Sequence, residues 1–290
     1  QWRNTLASHA FPVFGDLSVA EIDTGLVLKA LEPVWTVRPE TASRLRGRIE
    51  NVLAWASARG LRSGENPARW RGHLDTLLPA RAKVAKVTHH KAVPWRALPA
   101  LMERIATAKG VGARALHFTI LTAARSGEVR EMRWGEVDLQ AGLWVVPAQR
   151  MKAGREHRVP LSDAALAVLA AVRPLQMRSG GRAPVAEALV FPGSRGKALS
   201  DMTLTAVFKR LGVEATVHGT ARSSFKDWCA EATGYPNEVS EMALAHTVSS
   251  AVERAYRRGD MVERRRRLMA DWARFLSGEI ISQEVIAIHG

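Results

Sequence analysis

Residues 216–256 read TVHGTARSSFKDWCAEATGYPNEVSEMALAHTVSSAVERAY and bring His218, Arg222, His246 and Tyr256 into one stretch. These residue types suit chemistry at a phosphodiester. A guanidinium binds phosphate through two parallel hydrogen bonds, imidazoles donate or move protons near neutral pH, and a phenol oxygen can be a covalent nucleophile. The chain has two tyrosines. Tyr235 sits in Gly-Tyr-Pro, a turn signal, whereas Tyr256 lies in a helical Ala/Val/Arg run ten residues after His246. A single His on a helix, or a single Tyr, is more often a packing residue. The weight rests on an ordered set: Arg125, Lys152, His218, Arg222, His246, Tyr256.

Two groups of elements must position that set. Within residues 1–85, the lead-in 1–17 reads as irregular, and SVAEIDTGLVLKALE (18–32) as a helix capped by Ser18 and ended by Pro33. Residues 40–59 form a second helix with the stripe Leu45, Ile49, Val52, Leu53, Ala56, followed by a short last helix in GHLDTLLP. Arg44, Arg46, Arg48 and Arg59 lie largely off that stripe, either on a solvated face or against phosphates. The basic stretch 82–96 lacks an apolar stripe and reads as a linker that contacts DNA backbone, Lys91 included; His89 and His90 have no partner ligands nearby.

Residues 97–123 give two helices, then comes Arg125 at a junction broken by Ser126 and Gly127. LWVVPA (143–148) and HRVPL (157–161) read as strands of a hairpin whose turn carries Lys152, Gly154 and Arg155. A helix follows at 162–173, a Pro/Gly/Arg loop at 174–188, a short strand at 189–191 and a capped helix at 200–212. Residues 261–276 form an Arg-rich helix whose Arg264–Arg267 face solvent, DNA or an acidic neighbour, and EVIAI (284–288) is an apolar tail suited to docking on another subunit. The fold class is mainly α with a small antiparallel β-sheet, in two domains.

Composition narrows the partner. The net charge of +14 points to a polyanion, most simply nucleic acid. Residues 1–90 hold 13 Lys and Arg against 8 Asp and Glu, and the rest 29 against 20, so both halves are basic, as in a clamp closing on a duplex. Cys229 is the one cysteine and reads as a small buried apolar residue, which excludes an intrachain disulfide and fits a reducing cytoplasm. The sequence has no apolar run of membrane-spanning length, no Gly-rich phosphate loop and no carboxylate cluster with metal spacing. Neither a metal nor a nucleotide cofactor is implied.

LTAARSGEVREMRW around Arg125, RMKAGREHRVPLS around Lys152, VHGTARSSFKDW around Arg222 and LAHTVSSAVERAY from His246 to Tyr256 together resemble the tyrosine recombinases, the phage-type integrases. The resemblance is strong over 97 to about 276 and general over 1–85. It implies a helical core-type DNA-binding domain (1–85), a linker (86–96) and a catalytic domain with a C-terminal tail (97–290). It also implies that the chain is a piece of a longer protein, beginning Gln-Trp-Arg and lacking an N-terminal arm-binding domain. The activity implied is site-specific recombination through a 3′-phosphotyrosyl intermediate, integrating or excising a prophage or mobile element. In it Tyr256 is the nucleophile, Arg125 and Arg222 clamp the phosphate, Lys152 protonates the leaving oxygen, and His218 and His246 assist. Glu128 braces the site, and Arg44, Arg48, Lys91 and Arg155 contact DNA. The implied partners are double-stranded attachment sites and a homotetramer on DNA, with room for DNA-bending accessory proteins, in a bacterial cytoplasm at the nucleoid. The family box is His-x-x-Arg, whereas His218 and Arg222 are four apart; one inserted residue is expected in a loop before the helix. Two rival readings are a type IB topoisomerase-like relaxing enzyme and a non-catalytic DNA-binding prophage remnant.

Overall fold

The computed structural model describes residues 1–80, 84, 91–173, 185–246 and 259–279. The expected linker residues 86–90, most of the 174–188 loop, Tyr256 and the apolar tail lie outside the described residues. Two compact units, within residues 1–88 and 89–290, each have their own core.

The first unit is helical: α1 (Trp2–His9), α2 (Phe11–Phe14), α3 (Thr24–Trp35) and α4 (Pro39–Ala58). Val27, Leu31, Leu45, Ile49 and Leu53 form its centre, at the i, i+3, i+4 spacing of packed helix faces. Several expectations are corrected here. Residues 1–17 are not irregular, because Pro12 falls in the first turn of α2, where its missing N–H leaves no bond unmade. Ser18 does not cap a helix: its N–H donates to Glu21 Oε2 at 3.0 Å in a turn, and α3 starts later, with Asp23 Oδ1 accepting from the Leu26 N–H at 2.8 Å. Pro33 lies inside the last turn of α3, which runs on to Trp35. There it removes one backbone donor without breaking a long run. The expected last helix is a kinked segment, Trp70–Leu74, with Gly72 at φ +67°, followed by the three-residue turn Asp75–Leu77. The Asp75 carboxylate takes the N–H groups of Gly72 (3.2 Å) and His73 (3.0 Å), a local alternative to helical bonding.

The second unit is built around α6 (Val111–Thr122), which packs against α5 (Leu98–Thr107), α7 (Ser126–Arg130), α8 (Asp163–Val172), α9 (Thr203–Arg210) and α12 (Val262–Leu276). Ala113, Ala115, Leu116, Phe118, Thr119 and Ile120 of α6 are fully buried. Trp272 of α12 donates its indole N–H to the Ile120 carbonyl at 2.9 Å, fixing α12 to the end of α6 that leads to Arg125. Ser162 caps α8, accepting the Ala165 N–H.

The sheet has three antiparallel strands, β1 (Val137–Asp138), β2 (Leu143–Val146) and β3 (His157–Pro160), in the order β1-β2-β3, with Val146 opposite His157. β1 is too short to leave a period-two signal. The strand expected at 189–191 is a single bridge from Leu189 to Arg133, next to Pro192, which offers no N–H to extend a ladder. Two more helices among the described residues are α10 (Ser224–Ala232) and α11 (Asn237–Ala243).

Candidate active site

α6 stops at Thr122 because Ala123 turns left-handed, with φ 50°. The chain re-enters a helix two residues later, and Arg125 occupies the position just before α7. Glu128, in the first turn of α7, takes the Arg125 backbone N–H on Oε2 at 3.0 Å and the Arg125 guanidinium on Oε1 at 2.8 Å. One buried carboxylate therefore fixes both ends of the arginine. Arg150, at the base of the β2–β3 link, donates to the Glu128 carbonyl at 2.9 Å and pairs with Glu136.

Arg222 arrives from a different part of the chain. Residues Gly219–Ser223 form a π-helical turn, in which the Ser224 N–H reaches the Gly219 carbonyl five residues back. A π-turn is a one-residue insertion within a helix. The residue added between His218 and Arg222 is accommodated there, inside the helical path, which corrects the expectation of a preceding loop. Arg222 is buried, 4% exposed. Its Nη1 donates to the Ala123 carbonyl (2.9 Å) and its Nη2 to the Leu244 carbonyl (2.6 Å), with His246 Nε2 at 2.9 Å from the same Nη2. Burial, then the Arg125 charge, lowers the Arg222 pKa to about 10, against the pull of Glu128 and Glu241. It stays cationic at neutral pH.

His246 follows α11, after the left-handed Ala245 (φ 49°). Its Nδ1 lies 2.7 Å from Glu241 Oε2, and the other oxygen of Glu241 is 2.6 Å from Lys226 Nζ. Burial alone would raise the Glu241 carboxyl; hydrogen bonds from Lys226 and His246 outweigh it and hold the group below the usual carboxylate range. His157, the first residue of β3, gives a ring hydrogen bond to the Ala243 carbonyl. Burial and then the Arg265 charge push its pKa down to about 4.

Four of the expected residues, Arg125, Glu128, Arg222 and His246, are thus brought together from three separate stretches. Lys152 and Arg155 are exposed on the β2–β3 link, where Gly154 takes φ +62°. His218 is exposed at the start of the π-turn. Lys91 is exposed, and its carbonyl accepts from Thr216 N and Oγ1 at 2.8 and 3.1 Å, which anchors the entry to that turn. Arg44 is exposed and paired with Glu40. Arg48 is corrected: it is buried, donating to the Gln1 carbonyl and Thr5 Oγ1, and holds α1 onto α4 instead of facing outward. Arg265 is likewise 1% exposed, bound to Asp260 and the Arg158 carbonyl, so the Arg264–Arg267 run is not a uniform outer face. Tyr235 donates its phenol to Asp271 at 2.6 Å, and burial followed by that bond raises its pKa. Three neighbours were missed: Glu241, Lys226 and His157. Lys226 falls four residues after Arg222, on the same helical side, which was the one available signal.

Two buried or half-buried guanidiniums, one of them held by an imidazole, form a set of donors for an oxyanion. The match to known proteins agrees with the scaffold. The phage integrase family model matches residues 96–263, and that of the phage integrase central domain matches residues 1–73. The chain belongs to the phage integrase family. It is 34% identical over 279 residues to prophage integrase IntA of Escherichia coli (strain K12), covering 94% of this chain and 63% of that protein. It is 32% identical over 277 residues to prophage integrase IntZ of the same strain, covering 94% and 64%. The chain therefore spans under two thirds of the length of these relatives. The fold is that of a lambda integrase crystallised as a dimer bound to a COC′ core site, with TM-score 0.61, 15% identity, and coverage of 85% of this chain and 86% of that one.

Proposed function

We propose that this chain is the DNA-cleaving part of a site-specific recombinase that integrates or excises a prophage or mobile element. The observation that carries the reading is the convergence on buried Arg222 of His246, in contact with it, and of Arg125, braced by Glu128 and near enough for its charge to act on Arg222. Relatives named prophage integrases and a fold-mate solved on core-site DNA support it.

In this reading Tyr256 attacks the scissile phosphorus, forming a 3′-phosphotyrosyl bond as the bond to the 5′-oxygen breaks. Lys152 gives that oxygen its proton, a role suited to an exposed link that can approach a bound duplex. Arg125 and Arg222 neutralise the non-bridging oxygens without a metal, and His246 assists by holding Arg222. His218 assists proton transfer at Tyr256. A 5′-hydroxyl from another strand reverses the step. The phosphoester energy is retained, so no nucleotide cofactor enters. Residues 1–85 serve as the second DNA-binding domain, with 86–96 as the linker to 97–290, and Arg44, Lys91 and Arg155 touch the backbone. Strand exchange takes a homotetramer on paired attachment sites, with DNA-bending accessory proteins where the site demands them.

The test is trapping on nicked suicide DNA carrying the attachment site. The wild-type chain is expected to give a covalent protein–DNA band on a denaturing gel, and Tyr256→Phe to give none. A band that survives Tyr256→Phe would move the nucleophile elsewhere, and binding without any band would make the chain a binding remnant.

A further inference from the structure

Glu241 has no part in the reading above, yet it decides where the proton on His246 sits. A guanidinium has donors only. At 2.9 Å from Arg222 Nη2, His246 Nε2 must be the acceptor and carries a lone pair. On the other side of the ring, Nδ1 faces Glu241 Oε2 at 2.7 Å. A carboxylate accepts only, and the Lys226 ammonium 2.6 Å from its other oxygen favours the ionised form. The proton is therefore on Nδ1. The same contacts fix the ring's orientation, and Nε2 then joins the Ala123 and Leu244 carbonyls in fixing Arg222, so that three of its five N–H groups are held in place. Lys226 is itself held by Ser240 Oγ at 2.7 Å and by Asn237 Oδ1, so the chain of contacts starts on α11, runs through Lys226 and Glu241, and ends at the guanidinium.

We propose that Glu241 is a positioning residue that holds His246 as the Nδ1–H tautomer and, through its Nε2, aims Arg222. The functional half of this rests on Arg222 meeting the scissile phosphate; the tautomer does not.

The experiment uses the full chain with ¹⁵N-histidine and long-range ¹H–¹⁵N correlation, the His246 signals being assigned by their loss in His246→Gln. The expected wild-type spectrum has a protonated Nδ1 and an unprotonated Nε2. Glu241→Ala, which leaves no acceptor at Nδ1 to hold the ring against Arg222, is expected to give a mixture of the two tautomers, whereas Glu241→Gln, whose amide oxygen still accepts, keeps the proton on Nδ1. An Nε2–H tautomer in the wild type, or no change in Glu241→Ala, overturns the proposal. In the suicide-substrate assay, Glu241→Ala is expected to slow adduct formation by about ten- to a hundredfold with DNA binding retained, and Glu241→Gln to recover most of the rate. Thermal melts of both variants check that they remain folded. Equal adduct rates in wild type and a folded Glu241→Ala also overturn the positioning role. If the wild type forms no adduct at all, the recombinase reading fails, and the spectra alone decide the Glu241 assignment.

Discussion

Arg222 shows how much one side chain does here. Its fork meets two carbonyls and a ring nitrogen from two parts of the chain. An ammonium is a single point with a different reach. Arg222→Lys is expected to lose the covalent DNA adduct and to lower unfolding stability by about 1–3 kcal/mol, since buried carbonyls lose their donors; urea denaturation alongside the trapping gel checks both. The sequence showed Arg125, Arg222 and His246 through local motifs, because each sits beside a helix boundary marked by Gly, Ser or a short polar run. It did not show Glu241, Lys226 or His157. Their importance comes from which neighbour each meets after folding, and a Glu or Lys on a helix looks the same whether it faces water or a histidine. Arg48 was misread for the related reason that a residue off the apolar stripe of α4 can still be covered by α1.

At the scale of elements, strong periodicity was legible: α4, α5, α6, α8 and α12 follow their apolar spacing, and the β2–β3 hairpin follows two short Val-containing runs on either side of a Gly-containing turn. What escaped was local competition. Ser18 and Glu21 make one of the two contacts of a capping pair without starting a helix, while Asp23 does cap α3. Asp23→Ala is therefore expected to cost about 1 kcal/mol in chemical denaturation, and Ser18→Ala to stay within roughly 0.5 kcal/mol. Half-buried histidines add a pH dependence to the second unit. His157 ties β3 to the end of α11, and His117 lies on α6 with its Nδ1 unpartnered among the described residues; both are lowered from 6.5 to about 4, by burial first. The unfolded chain takes up these protons at higher pH than the folded one. Their contribution is complete above pH 6.5, declines as pH falls towards 4, and is constant below that, amounting to at most roughly 3 kcal/mol for each. Denaturation at pH 7 and pH 4.5 is expected to show this loss, and His117→Leu to make it smaller.

For the molecule as a whole, the +14 charge is shared by two units, each with its own core. If both units grip the backbone of one duplex through a total of six to ten phosphates, affinity is expected to fall by about 10³–10⁵ between 50 and 200 mM salt. A titration of the full chain on duplex DNA checks this; a slope of only one or two released ions would leave most of the charge without a DNA role. The folded chain also has a property that owes nothing to DNA. Its one thiol, Cys229, is 4% exposed, and burial pushes its pKa up to about 12. Thiolate is the reactive form, so maleimide dyes will pass it by while the second unit stays folded. A Lys152→Cys or Arg155→Cys chain would therefore take one fluorophore, on the β2–β3 link alone, with the native cysteine left in place. Distance changes between that dye and a labelled duplex would then track the link's motion in real time, and late labelling of Cys229 would clock the opening of the core.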